Sequence, residues 1–236
     1  MTHGEVLLLS GGPHPFAQTT PLLAALIDEL GCTVTIVEDP DDAAARLVAG
    51  HVDLFALNTL RWRMCADRHA PLRAEHAYVT PGPTRAAISG WVLGGGRMLA
   101  CHGAPVCFDD WHEWGDLLGA RWSWTGSSHP PVGEIEVRIA APGHPIVTGL
   151  DDLIITDECY GFLEHTAPIE PLLSGEHGGT THPLLWEHRA GAGHVVVSLL
   201  GHGPESFQHP THAEILRRSV GYLLGKPQPT TDEGVL

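Results

Sequence analysis

Over the first 120 residues, short unbroken apolar runs alternate with stretches whose apolar residues recur every three or four positions. The run Glu5-Val-Leu-Leu-Leu-Ser10 stops at Gly11-Gly12-Pro13 and predicts a buried strand entering a loop. Leu22, Leu23, Leu26, Ile27 and Leu30 then predict a helix over 16–30, stopped by Gly31. Further strands are predicted at 33–37, 52–58 and 97–101. The helices between them are predicted at 41–48, capped by Asp41 or Asp42, and at 83–93, with a proline near its start. The stretch 59–80 has weak periodicity and reads as an inserted surface loop or helix. After His102-Gly103-Ala104, a helix is predicted over about 106–118. Beyond it the pattern changes. Glu134–Ile139 alternates with period two, as a half-exposed strand does. Residues 183–187 and 194–200 read as strands and 211–224 as a final helix.

Strands alternating with helices predict an α/β fold with a parallel sheet of right-handed βαβ units. The later strands add an antiparallel extension at one edge. In such sheets ligands bind beyond the carboxyl ends of the strands. That rule selects the loops after Ser10, Asn58, Cys101 and Leu200, which carry His14, Asn58 with Trp62, His102, and His202.

Length and composition narrow the function. A chain of 236 residues buries roughly 70% of its unfolded surface, enough to fold without disulfides or metals. We expect one domain over 1–225 and a loose tail over 226–236. Thirteen basic against 28 acidic residues give a net charge of −15, which disfavours nucleic-acid and membrane partners. There is no basic-then-apolar leader and no apolar run of membrane length. Five cysteines without paired spacing read as cytoplasmic thiols, and no CxxC pair supports a zinc ribbon. The one lysine, Lys226, borders the tail, which leaves no lysine placed for Schiff-base chemistry.

Seventeen histidines are the anomaly, and the question is which of them converge. Arg97-Met-Leu-Ala-Cys-His-Gly-Ala104 is a strand, a small-residue turn and a helix start, the pattern that presents one side chain at a sheet edge. Cys101 and His102 compete for that position. Cys101 there would be a nucleophile; otherwise it is a buried strand residue. Thr156-Asp-Glu-Cys-Tyr160 places Asp157 and Glu158 where they can act as a general base or orient a histidine, although most such carboxylates are simply solvated. His102, His129, His202 and Glu158 are also suitable ligand types for a divalent ion, but no HExxH or HxH pair anchors them. His144 before Pro145 reads as a turn residue, and the tryptophans at 111, 114, 122 and 124 read as core more readily than as a sugar platform.

The order of these motifs resembles the ThuA-like family, named for trehalose utilisation. The resemblance covers residues 5–225. Its carriers include Gly11-Gly12 with His14-Pro-Phe16, Asn58 with Trp62, His102-Gly-Ala104, Asp157-Glu158 with Tyr160, and Leu200-Gly-His202. It implies a flavodoxin-like three-layer sandwich, similar to class I glutamine amidotransferases, with a mostly parallel sheet and an antiparallel edge extension. It further implies that His102 stands where true amidotransferases carry the cysteine, and that His202 lies in the region of their triad histidine. The chain departs from relatives in having Gly203 where an acidic residue often follows that histidine.

The resulting expectation is an enzyme of carbohydrate catabolism acting on a sugar or keto-sugar. His102, His202, Glu158 and Asp157 would be catalytic, and His14, Asn58, Trp62, His129 and Tyr160 would contact substrate. No cofactor is required by the sequence, and a divalent metal held by His102, His129, His202 and Glu158 is the alternative. A catalytically silent binding module is another. The expected partner is a small carbohydrate, with a homodimer as the generic assembly. The enzymatic reading requires that His102 and His202 meet in one cavity.

Overall fold

Val6, Leu7, Leu8 and Leu9 are all buried, because the first strand is covered on both faces. In the computed structural model, which describes residues 4–228, this strand is β1 (Gly4–Gly11). It pairs in parallel with β2 (Cys32–Val37) on one side and β3 (Leu54–Thr59) on the other, so that Leu8 faces both Ile36 and Ala56. β4 (Arg97–Cys101) follows β3, and β11 (Gly193–Ser198) follows β4, both in parallel.

The antiparallel strands are β10 (Thr180–Ala190), β9 (Pro171–His177), β6 (Gly133–Ile139) and β7 (Leu153–Asp157), added in that spatial order beyond β11. A two-stranded ribbon joins β5 (Ala120–Arg121) to β8 (Glu164–His165). The parallel part thus runs β2-β1-β3-β4-β11, the flavodoxin-like order.

The helices form two layers. On one face α1 (Phe16–Asp28), α6 (Pro204–Gln208) and α7 (Pro210–Leu223) pack together. On the other, α4 (Gly82–Leu93) packs against α2 (Pro40–Ala49) and α5 (Trp114–Leu118). The short α3 (Ala70–His76) has no buried residue and occupies the stretch with weak periodicity. Among the described residues no helix is long and apolar enough to cross a membrane.

Several boundaries differ from expectation. Asp39, not Asp41 or Asp42, caps α2 by accepting from the Asp41 amide at 2.8 Å. The continuous helix expected over 106–118 is a 3-10 turn at Ala104–Val106 and then the short α5. Phe108, with φ +54°, breaks the path. Asp109 and Asp110 then turn to the amides of Arg63 and Thr80. Strands β7 and β9 were not expected. β7 alternates buried and exposed positions over only five residues, and β9 contains Ser174-Gly175-Glu176, which reads as a turn. The tail expectation falls mostly on 229–236, outside the described residues. Lys226 itself is anchored, donating from Nζ to the Leu30 carbonyl.

Candidate active site

β1, β4 and β11 are parallel, so their carboxyl ends lie along one edge of the sheet. Each delivers one histidine there. After β1, Gly11 and Gly12 adopt φ of +105° and +123°, and His14 follows. The Gly12 conformation admits no side chain, since a Cβ would stand 2.2 Å from the Leu60 carbonyl oxygen. After β4, His102 itself takes a φ of +41° while its amide donates to the Ser198 carbonyl at 2.6 Å. His102 therefore occupies the tip of the turn, a strained position of the kind found at sheet-edge elbows. Cys101 is the last strand residue, paired with Ser198 and buried, and burial pushes its thiol up to about 12. That environment gives no thiolate, which removes the nucleophilic reading of Cys101.

The fourth contributor comes from the far end of the sheet. β7 is separated from β11 by four inter-strand steps, about 19 Å across a flat sheet. Asp157 at its end nevertheless accepts from the Gly201 amide at 2.7 Å and from the His202 amide at 3.2 Å. The antiparallel extension therefore coils back towards the loop after β11. Asp157 also accepts from the Glu158 amide at 2.8 Å. Its fully buried carboxylate thus serves three backbone amides. Asp157 was expected among the reacting groups; it is instead a clamp that holds Glu158 and His202 side by side.

Glu158 is the hub. Its Oε2 lies 3.2 Å from His202 Nδ1 and 3.5 Å from His102 Nε2, and its Oε1 lies 3.2 Å from His129 Nδ1. The rings of His102 and His202 are 5.2 Å apart and nearly perpendicular. The ring of His14 lies 5.2 Å from His102 and 4.6 Å from His202. One ligand atom from each of His14, His102, Glu158 and His202 falls within 4.8 Å of the other three. His102 Nδ1 donates to the Leu199 carbonyl at 2.9 Å, which turns Nε2 inward. Tyr160 places its hydroxyl 3.4 Å from that Nε2.

The electrostatics follow from burial and crowding. Burial, with the neighbouring His102 and His202, lowers His14 to about 3 and keeps it neutral. Burial opposes charge on Glu158 too, but the close imidazoles of His102 and His202 overcome it and hold the carboxyl well below the usual carboxylate range. His102 is the converse: burial opposes its charge, and Glu158 and Asp157 raise it above the ordinary value. Solvent reaches the cluster on one side, where the side chains of His129 and His202 remain 35% and 24% exposed.

Other expected residues fall elsewhere. Asn58 is buried behind the site, donating to Thr19 and Thr20 at 3.0 and 3.1 Å, which ties β3 to α1 rather than to a substrate. Trp62 is buried beside the rings of His69 and Trp124. His129 stacks on Tyr160 at 5.1 Å and supports Glu158 from outside the quartet, so His14 takes the place expected for His129 among the ligand-type groups. His144 bonds Glu187 at 3.2 Å, away from this site.

Trp122, read from the sequence as core, is partly buried against the core and also borders the site. Its ring lies 5.2 Å from Tyr160, 5.9 Å from His129 and 6.2 Å from the 43%-exposed Trp124. Trp111 and Trp114 are core, as expected. The signal that separates the pairs is the polar Ser- and Gly-rich stretch from 123 to 128, which leaves Trp122 and Trp124 without a helix to bury them.

Comparison with known proteins supports this architecture. The sequence profile of a family named ThuA and described as trehalose utilisation matches residues 5–223. Among solved structures, a protein described as ThuA-like from Parabacteroides merdae is 17% identical, with a TM-score of 0.77, covering 99% of this chain and 94% of that one. Another from Bacteroides uniformis is 14% identical, with a TM-score of 0.72, covering 94% and 91%. A cold-adapted β-galactosidase from Rahnella sp. R3 is 13% identical, with a TM-score of 0.62, and this chain covers only 32% of it. At these identities the likeness is one of fold. No curated protein matches the sequence.

Proposed function

The chain belongs to the ThuA family, and from that membership and the geometry of the site we propose an enzyme that converts a sugar or keto-sugar. The observation that carries the reading is the meeting of His102 and His202, a hundred positions apart, on one oxygen of Glu158 at the strand ends. Two imidazoles sharing a carboxylate can take a proton from one substrate atom and supply positive charge or a proton to another. That is the requirement for proton transfer beside a sugar carbonyl, or for protonation of a glycosidic oxygen. His14 and Tyr160 border the same point and offer polar contacts to hydroxyls. Trp122 and Trp124 continue the wall outward from Tyr160, and an exposed indole suits the apolar face of a sugar ring. Five unpaired thiols suit a reducing, cytoplasmic setting for such an enzyme.

The test is depletion of a panel of 3-keto-glycosides and their parent glycosides, followed by mass spectrometry. The parent protein should consume at least one, and His102→Ala and His202→Ala should each slow it by about a hundredfold or more. A panel left intact overturns the substrate class. Variants as fast as the parent overturn the roles.

A further inference from the structure

We infer that His14, His102, Glu158 and His202 bind a divalent transition-metal ion of the zinc class. Nothing in the family description assigns one. Three features of the quartet point to it. First, the donors are the right kind: three imidazoles and a carboxylate suit zinc and its first-row neighbours, and no thiolate or cluster of carbonyls is present to favour another class. Second, the spacing fits. Around an ion with bonds near 2.0–2.1 Å, tetrahedral ligand atoms stand about 3.4 Å apart. The pairs at Glu158 measure 3.2 and 3.5 Å, and all four atoms fall within 4.8 Å.

Third, the inward atoms have nothing else to bind. His14 Nε2, Glu158 Oε2 and His202 Nδ1 are each buried without a hydrogen-bond partner. Eleven buried side-chain polar atoms lack such a partner among the described residues, and these three belong to residues whose ligand atoms crowd within 4.8 Å, so one ion would satisfy them together. The supporting bonds agree. His102 donates from Nδ1 to the Leu199 carbonyl, the outer bond that fixes a ligating imidazole with its other nitrogen inward. His129 Nδ1, bonded to the Pro130 carbonyl at 2.9 Å, stands 3.2 Å from the opposite oxygen of Glu158, on the side away from the Oε2 that faces the other donors.

The inference rests on the reading above for its substrate class and replaces proton transfer by His102 and His202, whose inward nitrogens would be held by the ion, with polarisation of the substrate by the ion itself. An ion that widened its coordination beyond these four ligands would take the carbonyl oxygen of a keto-sugar and polarise it without any proton transfer.

The experiment uses the untagged full chain, stripped with a chelator and then titrated with Zn²⁺, Mn²⁺, Co²⁺ and Ni²⁺. Elemental analysis and calorimetry give stoichiometry and affinity, and visible absorption of the Co²⁺ form reports its ligands. We expect about one ion per chain with a raised Tm. Glu158→Gln and His14→Ala should abolish stoichiometric binding, and His129→Ala should weaken it by about tenfold or more. The partly exposed His202→Ala, its fold checked by circular dichroism, gives a second variant if a buried substitution fails to fold. The inference is overturned if no ion binds stoichiometrically, or if binding is unchanged in folded quartet variants, which would place the ion on surface histidines. Keto-sugar turnover by the stripped protein, unaffected by added ions, also overturns it while leaving the enzyme reading intact. One bound ion with no sugar consumed leaves the ion site standing and overturns the substrate class.

Discussion

Asp157→Asn isolates the clamp that assembles the site. Oδ1 of Asp157 accepts from the Glu158 and His202 amides, and Oδ2 accepts from the Gly201 amide. Asparagine has one oxygen. Placed on the Glu158 and His202 side, it turns its NH₂ towards the Gly201 N–H, donor against donor, in a fully buried position. Leaving one buried amide unsatisfied costs about 1–3 kcal/mol, and the two remaining bonds lose their charge assistance, about 1 kcal/mol each. Removing a buried charge offsets part of this, so the net loss is about 2–4 kcal/mol. For a chain of this length each kcal/mol moves Tm by about 2–4 °C, so the variant should melt roughly 4–16 °C below the parent. Calorimetry at pH 7, with urea unfolding as a second measure, checks it. A fall of less than about 2 °C would mean that Asp157 does not hold the β7 end to the loop after β11, and the account of how Glu158 reaches the histidines would fail with it.

Three further outcomes are expected. Gly12→Ala should cost at least about 3 kcal/mol, from its positive φ and the clash with the Leu60 carbonyl, whereas Gly31→Ala, at φ +72° but with no heavy atom within 4 Å of the added methyl, should cost only the strain of about 1–2 kcal/mol; equal losses in thermal unfolding would contradict the geometry. Iodoacetamide at neutral pH should label one cysteine per native chain, the exposed Cys65, and five in denaturant; prompt native labelling of Cys101 would restore the nucleophile reading. Glu187 is opposed by burial but held below its ordinary value by Tyr222, His144 and His194, so its folded pKa lies below its unfolded one. Its stabilisation is therefore full above about pH 4.5 and lost as the pH falls below that. The Tm gap between the parent and Glu187→Gln should shrink from pH 7 to pH 3.5, and a constant gap would count against this linkage.

Much of the parallel sheet was legible because its strands are buried on both faces. Unbroken runs such as Val6–Leu9 and Leu54–Leu57 have no other comfortable place in water. Where those strands end, short turns fix which residue comes next, so His14, His102 and His202 could be placed at one edge from the sequence. The antiparallel half was harder. β7 offers only five residues, one of them an exposed Ile154, and β9 is interrupted by Ser174-Gly175, so their local patterns compete with loop patterns. The pair Asp157-Glu158 was visible but not divisible: nothing in two adjacent carboxylates says which one faces amides and which one faces imidazoles.

By itself, then, the chain determined its strand-helix alternation, its family and the edge on which its chemistry would sit, because these depend on local burial and on turns of a few residues. Only the tertiary structure decided that His14 joins the quartet while His129 stays outside it, that Cys101 is sealed in the core, and that Asn58 faces a helix. Those outcomes depend on how far the antiparallel extension coils back and on which side of a backbone turn each ring falls. Both are set by packing between segments tens of residues apart, and no spacing along the sequence encodes either one.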